Sequence, residues 1–170
     1  MTNYAAPWSI SLVVISSLST VLCAGIAIGI IWSGYKSGHK FLSWVALLPL
    51  AIICGGALFT IRGYTVTPDA ILVHRLFWTT LLPLAGLHSA QCEPDAMRRS
   101  IRTFGNGGLF SITGCFRNKA LGAYRASVTD LHRTVVLHFP ARTVVVSPSA
   151  PEEFVRELSM LQKLAPASGS

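Results

Sequence analysis

Hydrophobic positions change rhythm once along this chain, near Arg62. Before it they come in long unbroken runs. From Trp8 to Trp32 the sequence WSISLVVISSLSTVLCAGIAIGIIW carries no Asp, Glu, Lys, Arg or His. As helix those residues measure about 37 Å, more than the ~30 Å of a bilayer's hydrocarbon layer. A tryptophan at each end matches the amphipathic anchors found at membrane interfaces. A second run, Phe41 to Ile61, gives about 31 Å of helix. Pro49 and Gly55-Gly56 interrupt it, residues that transmembrane helices tolerate, and Pro49 predicts a kink. The connection from Ser33 to Lys40 is long enough only for an antiparallel turn. The pattern therefore predicts two transmembrane helices, 8–32 and 41–61, whose outer ends face one compartment. Two other readings of these runs fit poorly. A cleaved signal peptide has a basic start and a shorter apolar core than follows MTNYAAPW, and Leu22 is too large to precede a lipoprotein cysteine at Cys23. Two runs so long and uncharged also argue against a hairpin buried in a soluble protein.

Beyond Arg62 the period falls to two. Gly63 to Thr67 reads as a strand, Pro68-Asp69 as a turn and Ala70 to Leu76 as a second strand, with Ile71, Val73 and Arg75 on one face and Leu72, His74 and Leu76 on the other. Further strands are predicted over Trp78 to Leu82, near Ser89 to Cys92, over Leu121 to Thr129, and in a hairpin of Thr134 to Phe139 with Arg142 to Ser147. Glu93 to Arg102, polar and containing Pro94, reads as a loop or a single helical turn. Asn106-Gly107 signals a turn, because both residues accept positive φ. The last segment is helical: Pro151, Glu152 and Glu153 suit a first turn, and Phe154, Leu158 and Leu161 form one apolar face. Strands followed by one closing helix describe an α+β domain whose helix covers an open sheet edge or barrel mouth. The expected organisation is a hairpin over residues 1–61, a domain over 62–164 and a tail over 165–170.

Composition sharpens the division. The chain has 14 Lys+Arg, 7 Asp+Glu and 12% charged residues, about half the usual share. Only Lys36 and Lys40 fall before Arg62. They balance Arg62 and Arg75 on the opposite side of the hairpin, so charge counting leaves orientation open. Gly25 and Gly29, four apart, are a small-residue pair suited either to packing within the hairpin or to dimerisation.

The polar part also holds Phe104-Gly105-x-Gly107-Gly108-x-Phe110, Gly114-x-Phe116-x-Asn118, Leu121-Gly122-x-Tyr124, and Val144-x-x-Ser147-Pro148 followed by Pro151-Glu152-Glu153-Phe154. Together these patterns resemble the bacterial pleckstrin-homology-like family. The resemblance covers roughly Gly63 to Leu164. It implies an antiparallel, bent, partly open barrel of about seven strands capped by the C-terminal helix, often preceded by membrane helices, and a domain at the inner face of a bacterial membrane. Ser149-Ala150 stands where the family pattern has acidic residues before the helix.

No motif of catalysis emerges. Gly105-x-Gly107-Gly108 lacks the Lys-Ser/Thr of a phosphate loop. Cys92 and Cys115 have no partners at metal-ligand spacing and read as free thiols, while Cys23 and Cys54 lie in the apolar runs. His74, His88, His132 and His138 are scattered, and Asp69, Glu93, Asp95 and Asp130 fall beside turns. No enzyme activity, cofactor or metal is expected. The remaining signal is basic: Arg98, Arg99, Arg102, Arg117, Lys119 and Arg125 are candidate contacts for anionic lipid headgroups or a partner. Nucleic acid is not expected, because no reading element or stacking platform accompanies them. The partners that remain are the lipid bilayer, anionic lipid, and a protein partner or a second copy. Two roles follow: a membrane-anchored binding module, or an accessory subunit of a transport or envelope complex.

Overall fold

The computed structural model describes residues 1–38 and 40–164. The 165–170 tail and His39, within the connection between the apolar runs, lie outside the described residues. Strand β1 (Thr2–Ala5) comes first and leads through Ser9 into helix α1 (Ile10–Ser37). The Ser9 hydroxyl caps α1 by accepting from the Leu12 amide at 3.2 Å. Gly38, at φ 66°, ends it in the left-handed conformation. The return leg is α2 (Lys40–Val45) and α3 (Leu47–Leu58). Nine further strands follow: β2 (Ile61–Val66), β3 (Ala70–Arg75), β4 (Thr79–Pro83), β5 (Ser89–Cys92), β6 (Ile101–Gly107), β7 (Ile112–Asn118), β8 (Gly122–Val128), β9 (Val135–Phe139) and β10 (Arg142–Val146). Helix α4 (Pro151–Leu164) comes last.

The expectation of two membrane-length helices is corrected. Among the described residues one helix, α1, is long and apolar enough to cross a membrane. The second run is broken at Ala46 because Pro49 has no N–H for the Val45 carbonyl and its ring crowds that group. Its longer piece, α3, spans only about 18 Å. The first helix also runs five residues past the expected end at Trp32, so the connection is shorter than Ser33–Lys40.

The seven-stranded barrel is corrected too. The strands form two sheets that do not close, one ordered β1-β2-β3-β4 and the other β5-β9-β10-β8-β7-β6. All pairs are antiparallel except β10 with β8. Residues 2–5, read from sequence as part of the hairpin segment, are the edge strand of the first sheet, with Tyr4 opposite Tyr64. The hairpin is thus an insertion between two neighbouring strands.

Two apolar layers hold the fold. Between the first sheet, α4 and one face of the second lie Ile61, Tyr64, Ile71, Val73, Leu137, Val146, Phe154 and Leu158, all fully or almost fully buried. Burying Phe154 or Leu158 is worth about 1.5–3 kcal/mol each. The ring of Phe154 meets Tyr4 edge-on at 5.1 Å. On the other face of the second sheet, Met97, Phe116, Tyr124, Val128, Val136 and Val145 form a second layer covered by the β5–β6 connection. Strands β9 and β10 are buried on both sides, which is why they read as unbroken Val/Leu runs.

Candidate functional site

The two roots of the apolar hairpin meet the domain at one polar junction, built by residues from both sheets. At the outgoing root, the Ser9 amide donates to the Thr129 carbonyl at 3.1 Å, and the Ser149 amide donates to the Ala5 carbonyl at 2.9 Å. Thr129 is held in turn by Ser147, whose buried hydroxyl accepts from the Thr129 amide at 2.8 Å and the Asp130 amide at 3.3 Å. The Tyr64 hydroxyl donates to the Ser127 carbonyl at 2.7 Å and accepts from the Ser147 amide at 3.2 Å. Burial pushes the Tyr64 phenol up to about 12, although its Ser147 contacts and the Arg75 charge pull the other way.

At the returning root stands Arg75. Alternation along β3 turns it inward with Ile71 and Val73, and it is 9% exposed. Its guanidinium donates to the Phe59 carbonyl at 3.1 Å, to the Thr80 and Ser127 hydroxyls at 3.2 Å each, and to Thr113 at 3.4 Å. Ser111 donates to the same Phe59 carbonyl at 2.8 Å. The cation therefore sits at the C-terminal end of α3, where the helix dipole favours positive charge. No carboxylate faces it among the described residues, and desolvation lowers its pKa from the usual arginine value.

The β6–β7 tip wedges between the two legs. Ser16 of α1, itself buried, accepts from the Phe110 amide at 2.9 Å and donates to the Gly108 carbonyl at 3.4 Å. Leu109 packs on Gly56 of α3, with its side chain where a Cβ would otherwise sit. Trp8, expected as a membrane anchor, packs on Phe110 with ring centres 6.2 Å apart. Farther out on the first sheet, Thr65 donates to Asn3 at 2.6 Å and meets His74 Nε2 at 2.7 Å, while His74 Nδ1 faces Thr79 at 3.3 Å.

The six basic candidates do not form a single cluster. Arg98, Arg99 and Lys119 line one cleft of about 540 Å³ with Glu93, Asp95 and Asn118. That cleft lies at the far end of β7, about 20 Å of strand from the tip that meets the helices. Arg117 is exposed near the same end, opposite Ile101. Arg125 sits mid-strand on β8, opposite Cys115. Arg102 differs, its guanidinium folding over Gly107 towards the tip. Cys92 and Cys115 are free, on β5 and β7, which are four strand spacings or about 19 Å apart. His132 pairs with Asp95 at 2.9 Å at the surface. Among the described residues no group of three His, Cys, Asp or Glu side chains is placed to hold a metal.

Sequence reasoning passed over Ser147 and Arg75 as site residues. Ser147 stood inside a quoted family pattern, and the alternation had already set Arg75 on an apolar face, which marks a buried cation.

Fold and junction define a class: a two-sheet α+β module closed by a C-terminal helix, with an apolar hairpin set into its first sheet. A family model described as bacterial PH domain matches residues 62–162. The chain belongs to that family. Comparison with curated proteins and with solved structures gives no match.

Proposed function

We propose that this chain is a membrane-anchored, non-enzymatic binding module that presents its PH-like domain at the inner face of a bacterial membrane. The observation that carries this reading is the insertion of the hairpin between β1 and β2. Both legs spring from one sheet, and the outer surface of α1 is apolar, with Leu18 69% and Val21 70% exposed. Such a surface is stable in lipid and not in water. With α1 in the bilayer, the broken return leg lies beside it and brings the chain back to β2. Trp32, Tyr35, Phe41 and Trp44, all exposed, ring the far end as an interfacial belt.

The domain's task in this reading is recognition: of a protein partner, of a second copy, or of anionic lipid. Arg98, Arg99 and Lys119, with Arg117 close by, form a basic rim at the end away from the hairpin and suit an acidic partner. Arg102 and Arg125 are the remaining candidate contacts, and Arg102 leans towards the headgroups. Two measurements test the placement. Alkaline carbonate should leave the protein in the membrane pellet, and release into the supernatant would overturn the reading. Exposed Cys92 should react with an impermeant maleimide only after the cells are permeabilised, with Cys92→Ser as control; labelling of intact cells would refute the inner-face placement.

A second reading, an accessory subunit of a transport or envelope complex, is favoured by Gly25 and Gly29. Among the described residues no atom lies within 4 Å of a Cβ placed at either, which leaves this small-residue face open. Purification in mild detergent should then bring down a second chain, and a monodisperse lone protein would count against it.

A further inference from the structure

Of the domain's exposed large apolar side chains, Leu76, Phe77, Trp78 and Phe104 lie towards the end where the hairpin enters, and Leu81, Ile101 and Met160 lie farther from it. Ile61, the first residue after the hairpin root, pairs with Arg75. The β3–β4 turn, Leu76-Phe77-Trp78, therefore overhangs the sheet and stands level with the last residues of the hairpin. Its position is fixed by contact: Trp78 meets Phe59 edge-on at 5.5 Å, Arg75 lies 6.0 Å from the Trp78 ring, and the Arg75 amide is bonded to the Trp78 carbonyl at 2.9 Å. Phe77 at the apex is 75% exposed, Trp78 40% and Leu76 39%. At the same root of the hairpin, Phe104 is 79% exposed and lines an apolar groove of about 380 Å³ with Gly55, Phe59 and Leu109.

The depth of these groups follows from α1. The β6–β7 tip is bonded to Ser16, leaving Ser17–Trp32, about 24 Å of helix, between it and the aromatic belt at the far end. That is slightly less than the ~30 Å hydrocarbon thickness, so the level of Ser16 and Gly56 lies at or just inside the boundary. Phe59 and the β3–β4 turn lie within one helical turn of that level, at the depth where aromatic rings partition between chains and headgroups. Arg62, next to Ile61 on β2, is exposed.

We propose that the domain is docked on the bilayer rather than tethered above it, with the Leu76-Phe77-Trp78 turn seated in the lipid interface and Phe104, beside the α3 root, against the lipid as well. The proposal rests on the membrane reading given above, and its occupant is the lipid of the leaflet the hairpin enters. Two contacts, one on the β3–β4 turn and one on β6, would restrict the domain's tilt and direct the basic rim around Arg98 away from the membrane.

The test uses the full chain in phosphatidylcholine/phosphatidylglycerol vesicles, with a tryptophan added at one position at a time and quenched by lipids brominated high or low on the acyl chain. Phe77→Trp, Val21→Trp and Lys119→Trp all replace exposed side chains. Relative to the parent protein, the added emission at position 77 should be quenched most by shallow bromines, that at 21 most by deep bromines, and that at 119 by neither. Quenching at 21 with none at 77 overturns the docking and leaves the membrane anchor standing. No quenching at 21 removes the anchor, and with it this proposal.

Discussion

Replacing Ser147 by alanine isolates the junction that roots α1 in the domain. The hydroxyl is fully buried and serves two amides, those of Thr129 and Asp130, at 2.8 and 3.3 Å. Alanine keeps the packing volume nearly unchanged but strands the Thr129 N–H in a place where that residue has no exposed surface. A buried donor left without a partner costs about 1–3 kcal/mol, and the weaker Asp130 bond adds a smaller loss. The space vacated is one oxygen atom, too small for water to enter and restore the bonds. The sum is about 3 kcal/mol. Urea unfolding of the purified full chain in detergent, followed by near-ultraviolet dichroism, should show the midpoint falling by that amount divided by an unchanged slope. Ser159→Ala is the matched control, because Ser159 bonds only the Val155 carbonyl one turn back in its own helix, at 2.8 Å. It should move stability by less than about 0.5 kcal/mol. Equal midpoints for the two variants would refute the reasoning.

Three further outcomes follow from the same structure. Gly105 and Gly114 face each other across β6 and β7 at φ 111° and 137°, and a Cβ at Gly114 would overlap the Phe104 carbonyl. Gly114→Ala should therefore cost more than Ser147→Ala in the same urea assay and broaden or split the transition. Tyr64 titrates at about 12 in the folded chain against 10.0 when exposed. Its contribution is intact below pH 10 and is lost as the pH rises towards 12, a fall of about 3 kcal/mol that Tyr64→Phe should remove from the alkaline unfolding curve. Glu157 accepts from Thr2 at 2.6 Å and from Tyr4 at 2.7 Å, so Glu157→Gln should loosen β1 by about 1 kcal/mol, read as faster amide hydrogen exchange at residues 2–5 with the α4 amides unchanged.

What could be read from the chain in advance was whatever local pattern determines. Alternation placed Ile71, Val73 and Arg75 on the inward face of β3, and the spacing of Phe154, Leu158 and Leu161 gave α4 its buried side. Expected strand ends near Ser89, Phe139 and Arg142 lie within a residue or so of the observed ones. Features that depend on a distant partner were hidden. Residues 2–5 are too few and too polar to announce a strand, and β1 exists because β2, separated from it by the whole hairpin, offers an edge. The β6–β7 pair was obscured by its glycines, which suggest loops when the close approach of the strands at Gly105 and Gly114 is unknown. Asn106-Gly107 read as the turn, but the strand continues through Gly107 and the chain reverses over residues 108–111. Pro49 was visible as a kink, yet whether a proline bends a helix or divides it depends on what the neighbouring carbonyl finds instead. The basic candidates were chosen by proximity in sequence, and β7 carries Arg117, with Lys119 just past its end, one strand length from the tip against which Arg102 folds.

The insertion of the hairpin between β1 and β2 imposes an order on the making of the molecule. A ribosome releases Thr2–Ala5 before the apolar stretch and Ile61–Val66 after it, so the pairing of Tyr4 opposite Tyr64 waits until both helical legs have been made. Without that pairing Phe154 and Tyr64 lack one wall of their pocket. Completion of the sheet in this way follows synthesis of the whole hairpin, and a fragment beginning at β2 would carry a raw edge from birth.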